Sequence, residues 1–418
     1  MKIGIYFSSN KNNGGVYQYS LSFLDALKEI KGQKFIIFND SSEILNEYAD
    51  DFNIENLNNA NENLNNKIHL KNLKKIIFRF GYRLISRLHL NFIINIFGFL
   101  TSMHLLFLIK KQKINIMIFL GYNYAANFLS IPVINIIYDL QHRINPQFPE
   151  VSKNGINRMR EYFYRRMTKN SDRILADSET GKRDIIRFYN FPADKIVILP
   201  FLAPKYLIAD ITTEEAIKIL ATYKLPEKFL FYPAQLWPHK NHLNILKAIN
   251  KLKDSGLTVN AVFCGTKKDE FGVYKQMEKY INENNLCSQI FYLGYVDNKI
   301  ISALYRLSVA MIMPTFFGPT NIPVLEAWKV GCPVIYSDIP GCREQLCDAG
   351  LLINPNCYKD IATKITLIWN NDPLRQELIA KGKKQLGKWT YFDFATKIKD
   401  MINELISQTY GTKNNQLQ

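Results

Sequence analysis

Short runs of consecutive apolar residues alternate along this chain with longer segments whose apolar positions recur every three or four residues. Lys2–Phe7 and Lys34–Asn39 are runs of the first kind, and the segment from Val16 to about Ile30 between them places Tyr17, Leu21, Leu24 and Leu27 on one helical face. The rhythm continues through Asn115–Leu120, Val133–Asp139, Arg173–Asp177 and Lys195–Leu199. Helices are predicted over Ile156–Lys169 and from a Ser178 cap to about Tyr189. Strands that are apolar on both faces and separated by helices predict a parallel, doubly wound sheet. Pro200, Pro204 and Pro226 break the pattern, and Phe229–Pro233, Val259–Gly265, Ile290–Gly294, Val309–Pro314 and Pro333–Ser337 restart it. The expectation is an α/β chain with one domain over residues 1–203 and a second over 204–390. A closing segment, 391–418, is expected to carry an amphipathic helix over Tyr391–Leu405 that packs back on the first domain, and a frayed tail at Asn414–Gln418. Asn-rich Asn53–Asn66 reads as a loop. Leu88–Ile109 reads as a helix that does not span a bilayer, because His89, Asn91, Asn95, Ser102 and His104 interrupt it. Ligands of open α/β sheets bind beyond the carboxyl ends of the strands, so a cleft between the two domains is the expected site.

Charge adds a second pattern. The 418 residues carry a formal net charge of +16, and no acidic residue occurs between Glu62 and Asp139. Lys67, Lys71, Lys74, Lys75, Arg79, Arg83, Arg87, Lys110, Lys111 and Lys113 fall inside that interval, and Arg158, Arg160, Arg165, Arg166, Lys169 and Arg173 follow it. Such a surface is either simply solvated or attracts phosphates and an anionic membrane face. No helix-turn-helix, zinc-finger or RNP-like signature accompanies it, so nucleic acid is not an expected partner. The six cysteines (Cys264, Cys287, Cys332, Cys342, Cys347, Cys357) contain no Cys-x-x-Cys pair and are expected to be reduced, buried thiols. The first residues form a strand and not a secretory signal, which points to a cytoplasmic protein. His239 and His242 lack an acidic or cysteine partner nearby, so no metal site is expected.

The chemistry concentrates after Met313. Pro314-Thr-Phe-Phe-Gly-Pro-Thr-Asn-Ile-Pro-Val-Leu-Glu-Ala-Trp328 passes from strand through a Gly- and Pro-rich loop into a helix starting near Ile322. A helix start offers unpaired N–H groups and a positive dipole end, both suited to a phosphate. Glu326, one turn in, can accept hydrogen bonds from a ribose diol; the alternative is a plain helix-surface carboxylate.

This stretch, with Asp348-Ala-Gly-Leu-Leu-Ile-Asn-Pro355 behind it, resembles the donor-site signature of glycosyltransferase family 4. Pro233-Ala-Gln-Leu-Trp-Pro-His-Lys-Asn-His242 is similar to the family's strand–loop–Lys segment. Ser8-Ser-Asn-Lys-Asn-Asn-Gly-Gly-Val16, Asp139-Leu-Gln-His142, Pro149-Glu150 and Ala176-Asp-Ser-Glu179 also look like family segments. The resemblance implies the GT-B fold, two Rossmann-like domains facing a cleft. It further implies a retaining, metal-independent transferase that binds no cofactor and takes a UDP-, GDP- or dTDP-linked sugar as substrate. Lys240 then neutralises the donor diphosphate, Gly14 and Gly15 let backbone approach it, and Gly318, Pro319, Thr320, Asn321 and Ile322 line the donor sugar.

Three positions depart from the family. Its Glu, seven residues, then Glu has Gly318 at the first place; its diphosphate-binding Arg falls on Gln235; and its histidine before an Asp falls on Tyr138. The run Gly318-Pro-Thr-Asn-Ile-Pro looks like that of a recognised branch of the family. His142 either replaces the missing histidine, with Tyr138 and Asp139 beside it on the acceptor side, or is structural. The acceptor is expected to be a glycan or lipid-linked saccharide, as in surface polysaccharide assembly, with an anionic inner-membrane surface as a further partner. A catalytically silent relative acting as a binding subunit and a nucleotide-sugar epimerase are the alternatives.

Overall fold

A computed structural model of the chain describes residues 1–10, 14–41, 45–57, 91–267 and 269–411. Two parallel sheets form its centre. The first contains β1 (Lys2–Phe7), β2 (Lys34–Asn39), β3 (Asn53–Asn56), β4 (Ile116–Phe119), β5 (Val133–Ile136), β6 (Arg173–Ala176) and β7 (Ile196–Ile198), in the spatial order β3-β2-β1-β4-β5-β6-β7. The second contains β8 (Leu230–Pro233), β9 (Ala261–Cys264), β10 (Ile290–Tyr292), β11 (Ala310–Met313), β12 (Val334–Ser337) and β13 (Leu351–Ile353), in the order β10-β9-β8-β11-β12-β13. Central strands are buried on both faces because helices cover both sides; Ile5, for example, lies between Ile37 and Ile118 and has no exposed surface. The fold is GT-B.

Local chemistry sets the helix ends. Ser178 Oγ accepts from the Gly181 N–H at 3.0 Å and starts the Glu179–Tyr189 helix. Thr390 and Asp393 form a capping box at the start of the Tyr391–Ile406 helix. That last helix contributes Phe394, Ile398, Met401, Ile402 and Leu405 to the core of the first sheet. The connector before the second sheet is fastened at several points. Trp389 Nε1 donates to the Pro200 carbonyl at 3.1 Å, Tyr391 Oη to Ala203 at 3.1 Å, and Lys329 Nζ to Pro204 at 2.6 Å.

Three expectations are corrected. Asn53–Asn56 is the edge strand β3 and not loop; an edge strand needs a ladder on one side only, and the Asn39 amide bonds the Asn56 side chain at 3.0 Å. Residues 58–66 of the Asn-rich stretch, like residues 67–90 of the basic segment and the 414–418 tail, lie outside the described residues. Three-residue β13, too short to show a pattern, adds the far edge of the second sheet. Cys264, Cys332 and Cys342 are buried, but Cys287 is exposed in the turn before β10 and Cys347 at the end of the Pro340–Leu346 helix, and Cys357 is half-buried; all six thiols are free. The long helix runs Asn91–Lys111, and its Ile94–Lys111 portion is long and apolar enough to cross a membrane. One face of it (Leu105, Leu108, Ile109) belongs to the core beside β1, β2 and β4.

Each sheet reverses its winding once, between β1 and β4 and between β8 and β11. The carboxyl ends at those reversals are where open α/β sheets bind ligands. The loops found there are the Gly14–Gly15 loop in the first domain and the Lys240 and 314–321 loops in the second.

Candidate active site

The two loops of the second domain are built as one unit. Phe316 N–H donates to the His239 carbonyl at 2.8 Å, and Thr315 Oγ1 reaches the same oxygen at 3.2 Å. Asn241, in the left-handed region at φ 61°, sends its buried amide to the carbonyls of Pro314 (2.8 Å) and Pro355 (2.7 Å). Gly318 adopts φ 121°, a conformation that strains any side-chain-bearing residue. A Cβ on Gly341 would sit 2.1 Å from the Pro319 carbonyl oxygen, so the Pro340–Leu346 helix packs backbone to backbone against the loop.

Asn321 is held on three sides. Its N–H donates to Gln345 Oε1 and its carbonyl accepts from Gln345 Nε2, both at 2.9 Å, while its Nδ2 donates to Tyr336 Oη at 2.6 Å. That leaves Asn321 Oδ1 to accept from Lys240 Nζ at 3.4 Å. No side chain caps the Ile322–Val330 helix that Asn321 precedes. Burial lowers Lys240 to about 8, and among the described residues no carboxylate pairs with its ammonium. A partly buried amine beside a helix start whose N-cap makes no side-chain bond is an arrangement suited to an anion.

Glu326 is buried on the same helix. Tyr206 Oη donates to its Oε1 and Tyr305 Oη to its Oε2 at 2.7 Å, and burial raises its pKa. Each carboxylate oxygen retains a further lone pair. Gln235 faces its own loop, accepting from Trp237 Nε1.

The first domain closes over this unit. A Cβ on Gly15 would lie 3.7 Å from Ile322 Cδ1, whereas one on Gly14 (φ 54°) would meet open space. Thr320 Oγ1 donates to buried Asp177, whose pKa burial raises to about 7. His239 stacks on Phe317 at 4.0 Å and bonds Glu150 through Nδ1 at 2.6 Å. Burial pushes His239 down to about 4, so the neutral ring donates its Nδ1 proton to the Glu150 carboxylate. Glu344 of the second domain accepts the N–H groups of Glu179 (2.6 Å) and Thr180 (2.9 Å), a carboxylate at a helix N-terminus.

Sequence patterns over both halves match known proteins. Residues 14–201 match the model described as Glycosyltransferase Family 4, and residues 214–385 match that described as Glycosyl transferases group 1. The chain belongs to glycosyltransferase family 4. It is 27% identical over 226 residues to the O-antigen chain mannosyltransferase B of Escherichia coli, covering 54% of this chain and 58% of that one. It is 24% identical over 351 residues to the O-antigen chain mannosyltransferase RfbU of Salmonella typhimurium, covering 84% and 85%. Matches to the first curated relatives span between 32% and 58% of their lengths. A glycosyltransferase structure from Rickettsia africae superposes with a TM-score of 0.70 at 17% identity, covering 98% of this chain and 99% of that one.

Within this family 4 chain, the residues named from sequence separate into two groups. Lys240, Gly318, Pro319, Thr320, Asn321 and Ile322 lie together beyond the carboxyl ends of β8 and β11, with Gly15 against Ile322. Tyr138 and His142 face their own domain. Tyr138 Oη donates to the Leu120 carbonyl at 3.0 Å, and its ring meets Tyr19 edge-on at 5.5 Å. His142 is buried with its Nε2 3.3 Å from Glu161 Oε2, and burial lowers its pKa. Burial alone would raise Glu161, but hydrogen bonds from Arg143, Tyr189 and His142 outweigh it and hold the carboxyl at about 2. Asp139 accepts from Arg160 at 2.6 Å and from the Gln141 N–H at 2.9 Å.

Sequence reasoning gave no role to His239, Glu150, Asp177, Gln345 or Tyr206. Glu150 and Asp177 lay inside quoted family segments. Gln345 and Tyr206 carried no local signal, because their importance arises from tertiary neighbours.

Proposed function

We propose that this chain transfers a hexosyl group, with retention and without a resident metal, from a nucleotide-sugar to a glycan or lipid-linked saccharide at the cytoplasmic membrane face. The observation that carries the reading is the unpaired Lys240 ammonium, 3.4 Å from Asn321 Oδ1 and beside an uncapped helix start, at the reversal of the second sheet. The donor diphosphate occupies that place, and its developing charge is met by Lys240 and the first-turn N–H groups. Glu326, steadied by two tyrosine hydroxyls, receives the ribose diol on its remaining lone pairs. Backbone N–H groups of Gly318 and Thr320 turn the sugar toward Gly14–Gly15 and the first domain, where Asp139, among the acceptor-side residues named from sequence, is partly exposed.

The acceptor hydroxyl attacks from the face the phosphate leaves. The departing phosphate oxygen takes the hydroxyl proton as the glycosidic bond to phosphate breaks and the new one forms. No enzyme carboxylate nucleophile is needed, in contrast to retaining glycosidases. The two O-antigen mannosyltransferase relatives support a role in surface polysaccharide assembly, and weigh against the silent-subunit alternative.

Thermal shift across UDP-, GDP- and dTDP-sugars, followed by assay of nucleoside diphosphate release, tests the reading. One of the donors is expected to raise the melting temperature and to be turned over. If none of them shifts the transition or releases its diphosphate, the transferase reading fails.

A further inference from the structure

The Asn91–Lys111 helix is predominantly apolar, with Thr101 and His104 as the exposed polar positions along its middle, a composition ordinarily found in helices buried more fully than this one. Here it is buried on one face only. Ile94, Ser102, Leu105, Leu108 and Ile109 pack inward, while Ile96, Leu100, Met103 and Phe107 stand outward at 55%, 58%, 52% and 61% exposure. These four positions fall at helical spacing, so they form a single stripe about 16 Å long at 1.5 Å per residue. Phe99 widens it, its ring 5.2 Å from that of exposed Phe128.

Cations bracket the stripe. Lys110, Lys111 and Lys113 are exposed at its carboxyl end. At its amino end Tyr162 Oη donates to Asn95 at 2.9 Å, and the Arg166 guanidinium lies over the Tyr162 ring at 5.0 Å. Glu55, which accepts from Gln112 Nε2, is the acidic neighbour at the carboxyl end, where three lysines outnumber it. A contiguous apolar surface rimmed by charge marks an interaction site. A second copy of the chain is a poor occupant, since a two-fold pairing sets one cationic end against another.

We infer that this helix lies in the plane of an anionic bilayer, its Ile96–Leu100–Met103–Phe107 stripe in the acyl boundary and its flanking cations on lipid phosphates. The inward face remains packed on the sheet, which distinguishes in-plane docking from spanning. Gly98 sits against the Tyr124 ring, just after β4, so the amino end of the stripe lies at the cleft end of the sheet. Docking there brings the cleft down to a lipid-anchored acceptor. The inference deepens the membrane part of the proposed function and does not depend on the donor site.

Full-length protein is sedimented with phosphatidylglycerol-containing vesicles and with pure phosphatidylcholine vesicles, at low and high salt. Wild type is expected to pellet with the anionic vesicles and to be released by salt. Leu100→Ser/Phe107→Ser and, separately, Lys110→Glu/Lys111→Glu should each lower partitioning at least about tenfold. Both variants should leave the melting temperature and nucleoside diphosphate binding unchanged, which separates loss of docking from loss of fold or of the transferase reading. Wild type that ignores anionic vesicles, or variants that bind as wild type does, would overturn the inference. So would a wild-type dimer that Leu100→Ser/Phe107→Ser converts to monomer, because a second copy would then cover the stripe.

Discussion

The two halves of this family 4 chain differ in what they present: a hydrogen-bonded loop in the second domain and an exposed apolar helix face in the first. In the second domain nearly every polar atom around the donor loop is spoken for: Asn241 bonds Pro314 and Pro355, Gln345 clamps both backbone groups of Asn321, and two tyrosines hold Glu326. Lys240 is left with a single long contact to a neutral amide, and buried His242, two residues on, has no partner among the described residues for either ring nitrogen. The first domain instead leaves an apolar helix face in solvent, and encloses His142 with an unpartnered Nδ1. The fixed loop and lone amine of the second domain would suit a small anionic ligand of fixed shape, as proposed above. The first offers an exposed apolar helix face, the feature from which bilayer docking is inferred.

The sharpest way to break this contrast is to remove the amine. Lys240→Ala should cut turnover by about 10²- to 10³-fold, the scale of one preorganised charge-stabilising group, with little change in melting temperature. A loss below about tenfold in steady-state assays would show that other groups carry the diphosphate. Next comes the backbone contact beneath the loop. Gly341→Ala forces a Cβ into Pro319, which should cost about 1–3 kcal/mol and lower the melting temperature by several degrees. Calorimetry and donor titration of that variant report together whether loop position and donor affinity are linked.

Titration sharpens the contrast further. With Lys240 at about 8 in the free protein, its ammonium is present below that pH and lost above it, so donor affinity should fall up to tenfold per pH unit beyond about 8. Lys240→Ala should lack this limb. Asp177 is read in stability and in a lower pH window. Its pKa is raised to about 7 by burial, with the neighbouring Asp139 charge adding to the effect. The folded state therefore holds a proton that the unfolded chain releases near pH 4, so stability should decline as pH rises from about 4 to 7. Asp177→Asn should flatten that decline in thermal melts. The smallest expected effect is on donor binding in Leu100→Ser/Phe107→Ser, which should match wild type by titration; a large change would couple the two halves.

Much of this architecture was legible because parallel strands buried on both faces leave continuous apolar runs, as Lys2–Phe7 and Lys34–Asn39 do. The edge strands Asn53–Asn56 and Leu351–Ile353 left no such trace, since one-sided pairing tolerates polar or very short segments. In the site, Lys240 and the 314–328 loop could be read because a strand–loop–helix order constrains local sequence. The contacts between domains could not: Thr320 with Asp177, His239 with Glu150 and Glu344 with Thr180 each join residues at least 89 positions apart. His142 was singled out for its neighbours in sequence, whereas its environment is set by Glu161 on another helix.

The central claim is that Lys240 and Glu326 grip the two ends of one nucleotide. Isothermal titration of wild type, Lys240→Ala and Glu326→Ala, each with the nucleoside diphosphate of the preferred donor and with the corresponding nucleoside, tests it directly. Lys240→Ala should weaken the diphosphate and leave the nucleoside unchanged, while Glu326→Ala should weaken both. Equal losses for the two ligands in Lys240→Ala, or none for either ligand in Glu326→Ala, would contradict the claim.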